Sequence, residues 1–395
     1  MLHVDKASDG FGRATVLVRL DMSKLRVPYK SGDHVAIQPP NTALEPQLKK
    51  FLKALGRDAD AIFEAKKPPG VDAVSKERYP LLHEVLGHKH TVGNVFLTMA
   101  AVGDVVSPQA CDQLADFAKD PDRQRLREAA VDVDKHKELA KTKGLQWVNI
   151  FEDFPSLKSG KVPMELLLML IPVIRPRLYS VASSPVQEPG ELHLVVGRLV
   201  YKTGDGKKRL GVCSNFFSKL DAKDEGLAEV RFQVRPCTSF RLPPDLLSPI
   251  IMVATGTGLA PFRGFMQERL ALAKANNCSL GPAALIVGCK NKAELLLQEE
   301  LKQATAGGAV TMLLEAFSRE PGQPKCYVQD RVRQDAGKLR PLLENPKCEV
   351  YLCGGSEMAG DVKKALEDVC SGCVEKLETS GRLHEDLFGI ISVTS

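Results

Sequence analysis

Two stretches hold residue types whose spacing could do chemistry. In the first, the apolar run Ile250-Ile251-Met252-Val253 ends in Ala254-Thr255-Gly256-Thr257-Gly258, followed by Leu259-Ala260-Pro261. A strand, a glycine-rich turn and a helix start, in that order, build an anion site. Glycines let backbone approach a phosphate closely, and the first free N–H groups of the helix point at it. Glycine turns after strands also serve packing alone, so this motif by itself leaves both readings open. In the second, Arg177-Leu178-Tyr179-Ser180 leads into Val181-Ala182-Ser183-Ser184-Pro185, and Gly211-Val212-Cys213-Ser214 follows further on. An arginine, an aromatic and a hydroxyl along one strand could clamp a phosphate, cover a flat ring and hydrogen-bond its edge. The same residues also make an ordinary strand with an exposed arginine and a core tyrosine.

Other candidates are weaker. Cys370-Ser371-Gly372-Cys373 lacks the second pair a zinc site wants and the preceding strand a redox motif wants. His88 and His90 have no acidic or cysteine cluster beside them, so no metal is expected. Lys207-Lys208-Arg209 falls on a hairpin marked by Gly204-Asp205-Gly206 and reads as a solvated turn, not a nucleic-acid grip.

The elements that must position these residues change character along the chain. Val16, Val18 and Leu20 alternate with Thr15 and Arg19, giving a half-buried strand, and Val35-Ala36-Ile37 gives a second, closed by Pro39-Pro40. From about Asn41 to Lys161 the pattern is helical, with Ser107-Pro108 and Asp120-Pro121 reading as helix starts and Met164–Leu170 as a short helix stopped by Pro172. Strands return at Glu191–Tyr201 and Glu229–Arg235. After Pro243-Pro244, the short apolar runs Ile250–Val253, Leu285–Val287, Met312–Leu314 and Val350–Leu352 alternate with helical segments, the pattern of a parallel sheet. The chain thus reads as an antiparallel β unit interrupted by a helical insertion, then a nucleotide-binding α/β domain.

Composition agrees. At about 150 residues per domain, 395 residues predict a multidomain chain. Hydrophobic residues at 44% and charged residues at 26% are globular proportions, and a net charge of +5 is too small over this length to imply nucleic acid. The apolar run Leu166–Ile174 contains Pro172 and falls far short of the ~20 residues of a transmembrane helix. The start, MLHVDKASDG, has charges where a signal peptide needs an apolar stretch. Ten unevenly spaced cysteines suit a reducing compartment. A soluble, cytoplasmic protein without a transmembrane segment is expected.

The series PRLYSVASSP, GVCSNFF, ATGTGLAPFRGF, FSREPGQPKCYVQD, VYLCGG and RLHEDLFG, in this order, resembles the ferredoxin–NADP⁺ reductase family. It is most similar to the FAD/NADPH half of the diflavin reductases, the group of NADPH–haemoprotein reductase and the nitric oxide synthase reductase region. SREP-x-x-PK-x-YVQD and HED-x-FG, with Phe388 where microsomal reductases have tryptophan, lean toward nitric oxide synthase. The resemblance implies an FAD-binding antiparallel β-barrel from residues 1–40 and 166–245, a helical connecting domain at 41–165, and an NADP-binding parallel α/β domain at 246–395. It implies FAD and NADPH as cofactors, with hydride passing from one to the other. FMN would come only through a domain outside this chain, so the implied partners are an FMN-binding domain or flavodoxin-like protein, then a haem protein as terminal acceptor.

Residue by residue, the resemblance gives catalytic roles to Ser180, Cys353 and Asp386. FAD would be bound by Arg177, Tyr179, Ser180, Val195, Val196, Gly197, Tyr201, Gly211, Val212, Cys213 and Ser214, with Phe388 covering the flavin. NADPH would be held by Thr257 at the pyrophosphate, by Ser318, Arg319, Lys325, Tyr327 and Gln329 around the 2′-phosphate, and by Asp361. Three departures are visible. Ala254-Thr255-Gly256 replaces the usual Gly-Pro-Gly, and Gly354-Gly355 follows Cys353 where Gly-Asp is common. Only seven residues follow Phe388, so the longer regulatory tail of many nitric oxide synthases is not expected. The alternative reading is an NADPH–haemoprotein reductase-type electron-transfer module, or a nucleotide-binding interaction module without turnover.

Overall fold

The computed structural model describes residues 4–8, 14–25, 27–67, 75–157, 162–220 and 230–388. Its N-terminal part supplies β1 (Val4–Ser8), β2 (Ala14–Asp21), β3 (His34–Gln38), β4 (Ile62–Glu64), β5 (Lys89–Thr91), β6 (Arg177–Ser180), β7 (Glu191–Gly197), β8 (Val200–Lys202), β9 (Lys208–Leu210) and β10 (Arg231–Arg235). Antiparallel sheets β1-β2-β7 and β10-β3-β6 are joined by a bridge between Val181 and Leu194. Alternation on β2 turns Val16, Val18 and Leu20 into one core with Val35, Ile37, Leu194 and Val196. Leu17, on the other face, is also buried, because Ala260 of the C-terminal part covers it together with Ala182 and Val195.

The helical insertion leaves after β3 and returns at β6, and Ile37 pairs with Arg177. Its entry and exit are therefore neighbours in one sheet, which lets a long insertion sit on the β unit without disturbing it. Its own core runs from Leu44 to Ile171 around Phe51, Phe96 and Trp147. Ser107 caps helix Pro108–Ala115 by accepting from the Ala110 N–H, as its type suggests. The start read at Asp120-Pro121 shifts instead: that peptide is cis, and the helix begins at Asp122 with Pro121 at the cap.

The C-terminal part is a five-stranded parallel sheet of β11 (Ile250–Thr255), β12 (Ala283–Cys289), β13 (Met312–Phe317), β14 (Glu349–Gly354) and β15 (Leu383–Leu387), in order β13-β12-β11-β14-β15. The first four match the apolar runs. Chain order runs one way from β11 and then the other, so the crevice at the carboxyl ends of β11 and β14 is the switch point where α/β sheets bind ligands.

Two sequence expectations change in detail. Glu191–Tyr201 is not one strand: the Leu199 N–H donates to Ser214 Oγ and Arg198 to Asn215, which turns the chain before β8. The basic hairpin is not solvated throughout. Arg209 is buried, and both it and Lys207 reach Asp153 of the insertion.

Candidate functional site

Ser180, Cys353 and Asp386 come from β6, β14 and β15, and the fold brings them together. Ser180 Oγ donates to Asp386 Oδ2 at 2.5 Å, and the Cys353 thiol donates to the same oxygen at 3.8 Å. Cys353 and Asp386 are register partners in the parallel sheet. The other carboxylate oxygen accepts from His34 Nε2 at 2.9 Å. Nothing local marks His34, which simply opens β3. Only the pairing of β3 with β6 sets it opposite Ser180.

The electrostatics follow from these contacts. Burial pushes the Asp386 carboxyl up, but hydrogen bonds from His34 and Ser180 outweigh it and hold the group below its ordinary value. The hydrogen bond to Asp386 raises His34 above the usual histidine range against opposing burial. Burial, helped by the nearby Asp386 charge, puts the Cys353 thiol well above its ordinary value. The site thus presents a fixed carboxylate flanked by a hydroxyl, a neutral thiol and an imidazole that favours its proton.

The glycine-rich turn after β11 reaches this group. A Cβ on Gly258 would lie 2.2 Å from the Cys353 carbonyl oxygen, so only glycine allows the turn to press on β14. Thr257 lies against Gly197 at the end of β7, where its Cγ2 is 3.2 Å from an ideal Cβ position. An expected nucleotide contact and an expected FAD contact are therefore adjacent.

On the β unit, the Arg177 guanidinium is partly exposed and touches Asp104 at 3.4 Å. Tyr179, on the same side of β6, sets its ring edge-on to Phe217. Burial and then Cys213 push its phenol well above the ordinary value. Val195 and Val196 are buried in the β unit. Helix Val212–Lys219 starts at Gly211, and its first turn offers the N–H groups of Val212, Cys213 and Ser214, a donor set that fits a pyrophosphate. Tyr201 is half-buried on hairpin β8-β9, which docks on the insertion through Gly204 and Lys141.

Beyond β13, the backbone of Ser318 and Arg319 is tied to Cys289 and Lys290 at the end of β12. Arg319, Lys325 and Tyr327 are exposed, the Lys325 ammonium lies 4.5 Å over the Tyr327 ring, and Gln329 lies in the first turn of helix Val328–Gln334. Among the described residues neither Arg319 nor Lys325 has a carboxylate partner, a donor set suited to a phosphate dianion. Asp361 is paired with Lys364 on helix Ser356–Val369. The Phe388 N–H donates to the Gly354 carbonyl, which fixes that residue beside the crevice while its side chain stays exposed.

One group among the described residues has metal-ligand types: Glu188, Glu191 and His193. Arg263 donates to His193 Nδ1, so Nε2 carries the proton and is used on Glu191, which makes the group a hydrogen-bond network. No helix among the described residues is long and apolar enough to cross a membrane.

Comparison with known proteins accounts for both parts. The FAD binding domain family matches residues 5–216, and the oxidoreductase NAD-binding domain family matches residues 252–364. Over 399 residues the chain is 33% identical to nitric oxide synthase 3 of Sus scrofa, covering 96% of this chain and 32% of that protein. It is 31% identical to inducible nitric oxide synthase of Rattus norvegicus, covering 97% of this chain and 34% of that protein. It is 30% identical to inducible nitric oxide synthase of Oryctolagus cuniculus, covering 98% of this chain and 77% of that sequence. The chain spans about a third of the length of the first two. With its antiparallel β unit, its parallel sheet and both family matches in register, the chain belongs to the FAD- and NADP-binding half of the diflavin reductases.

Proposed function

We propose that this chain takes hydride from NADPH onto FAD and passes electrons to an FMN-binding domain or flavodoxin-like protein, and through it to a haem protein, as the reductase portion of a nitric oxide synthase. The observation that carries the reading is the convergence of Ser180, Cys353 and Asp386 at the switch point, each from a different strand. FAD, when bound, supplies a ring that accepts two electrons together and releases them singly. Asp386 keeps a negative charge at the site, which favours positive charge developing on a nicotinamide. Ser180 offers a hydroxyl and Cys353 a soft, neutral edge. Arg177, Tyr179 and the first turn at Gly211–Ser214 hold FAD, whereas Thr257, Ser318, Arg319, Lys325, Tyr327, Gln329 and Asp361 hold NADPH. The working units are residues 1–40 with 166–245 for FAD, 41–165 as connecting domain and 246–395 for NADP. Ten cysteines, all free, suit the cytoplasm.

The test is anaerobic mixing of the FAD-loaded protein with NADPH. Bleaching of the flavin, slowed in Ser180→Ala and Asp386→Asn, supports the reading. A protein that binds FAD but is not bleached overturns it. Relay of electrons to a haem protein only when a nitric oxide synthase FMN domain is added would separate this reading from the NADPH–haemoprotein reductase type.

A further inference from the structure

Helix Ala260–Asn276 begins at the glycine-rich turn, and one face of it seals against the β unit. Arg263, in its first turn, is 4% exposed. Its Nη1 donates to the Ala182 carbonyl at 2.6 Å and to His193 Nδ1 at 2.9 Å, and its Nε donates to Glu300 at 2.6 Å. One turn on, Gln267 accepts from the Ser184 N–H and donates to Glu188, and Glu268 accepts from Ser31 and Ser184. Ala182 lies two residues beyond Ser180 on the same backbone run. A single guanidinium thus joins the turn expected to hold NADPH pyrophosphate to the backbone directly behind Ser180.

We propose that Arg263 is a positioning residue whose bond to neutral His193 seats the NADP-binding part on the FAD-binding part and so aligns Cys353 and Asp386 with Ser180. The inference rests on the hydride-transfer reading for its rate consequences, but the seating itself concerns only this chain. An arginine N–H can only donate, so the bond requires an unprotonated Nδ1. His193 faces Arg263 from the helix, with Glu300 behind it, Glu191 on its own strand, Glu188 in the preceding turn, Arg19 opposite on β2 and Tyr29 through the Glu191 carbonyl and Ser183. Burial, with Arg263 adding to it, holds His193 below its ordinary value. Protonating Nδ1 sets two donors face to face and releases the seat, so coupling is lost as pH falls below the ordinary histidine range.

Amide exchange and flavin reduction on the FAD-loaded full chain test this. Arg263→Met should raise exchange in peptides covering 181–193 and 256–264 at least tenfold, corrected for intrinsic rate, and slow flavin reduction at least tenfold with the KM for NADPH within threefold. Arg263→Lys, which keeps a charged donor group without the planar fork, should recover part of both. In the wild type, both readouts should change as pH falls from 7 to 5, and His193→Gln should remove that dependence. Unchanged exchange in Arg263→Met overturns the proposal. Should that variant not fold, an acid limb that persists in His193→Gln overturns it equally. If the wild type shows no flavin reduction at all, the hydride-transfer reading fails while exchange still decides the seat.

Discussion

Replacing His34 with glutamine tests the electrostatics of the site most directly. His34 Nε2 and Asp386 Oδ1 are 2.9 Å apart, with side chains 23% and 13% exposed. A hydrogen bond between charged partners contributes about 1.5–3 kcal/mol, and the neutral bond a glutamine can make about 0.5–1.5. Partial exposure favours the lower end, so the substitution costs about 1 kcal/mol when His34 is charged. The sign of its pH dependence follows from the raised His34 value. The extra stability is fully present below the unfolded histidine value of about 6.5, and it is lost as pH rises through the higher folded value. Between about pH 5 and 6, urea unfolding followed by flavin release should therefore shift down by about 0.4 M for a slope of about 2.5 kcal/mol per molar. By about pH 9 the two curves should nearly coincide, and flavin reduction by NADPH should show the same narrowing gap. A gap that is constant from pH 5.5 to 9 would refute a charged His34–Asp386 pair.

Three further outcomes are expected. Arg319→Ala should weaken NADPH by about ten- to a hundredfold, one charge-assisted contact of about 1.5–3 kcal/mol, and leave NADH within twofold; equal losses in a binding titration would show that Arg319 does not read the 2′-phosphate. Cys353→Ala should keep FAD but slow flavin reduction in stopped flow, because the thiol meets Asp386 without touching the expected FAD-holding residues; reduction at the wild-type rate would remove Cys353 from the catalytic group. Phe388→Ser should narrow the NADPH/NADH ratio, since NADH, lacking the 2′-phosphate contacts, is least able to displace a ring over the flavin; an unchanged ratio with FAD retained would put Phe388 elsewhere.

The sequence made the parallel sheet legible because its strands, buried on both faces, are short continuous apolar runs. The antiparallel unit was readable through alternation at Val16, Val18 and Leu20. Its one misread strand, Glu191–Tyr201, broke at side-chain bonds from Ser214 and Asn215 that lie on a later helix. Ser180, Cys353 and Asp386 were legible only as motif members, and their meeting depends on the β14–β15 register and on a side-chain contact between two sheets, neither of which a local pattern encodes. His34 and Arg263 show the limit more sharply. One opens an ordinary strand, the other lies in a helix whose apolar neighbours look like core, and each acquires its role from a distant partner, 352 residues away for His34 and 70 for Arg263. The hairpin cluster at Lys207 and Arg209 misled because charge runs are usually solvated, whereas Asp153 drew it inward.

The departures from the family pattern meet in space. Thr255 Oγ1 lies 2.5 Å from where a Cβ on Gly354 would stand, and Gly354 has φ +155, so residue 354 must be glycine whatever follows it. Gly355, where the family commonly has aspartate, is under no such constraint. It has φ −72 and ψ 148, an extended conformation any residue adopts, and a Cβ there meets nothing within 4 Å. It stands at the N-cap of helix Ser356–Val369, which has no side-chain cap. Gly355→Asp should therefore supply a carboxylate to the first free N–H groups, worth a few tenths of a kcal/mol over glycine, plus about 0.3–1 kcal/mol from the helix dipole. Together, about 0.5–1.3 kcal/mol raises the melting temperature by roughly 1–5 °C for a domain of this size. The gain should vanish in acid as the new carboxyl protonates, since a cap holds its folded value below the unfolded one. Calorimetry at pH 7 and pH 3 measures both. A melting temperature lowered at pH 7 would mean that the 354–355 turn, with Thr255 pressed against it, has no room for the capping geometry after all.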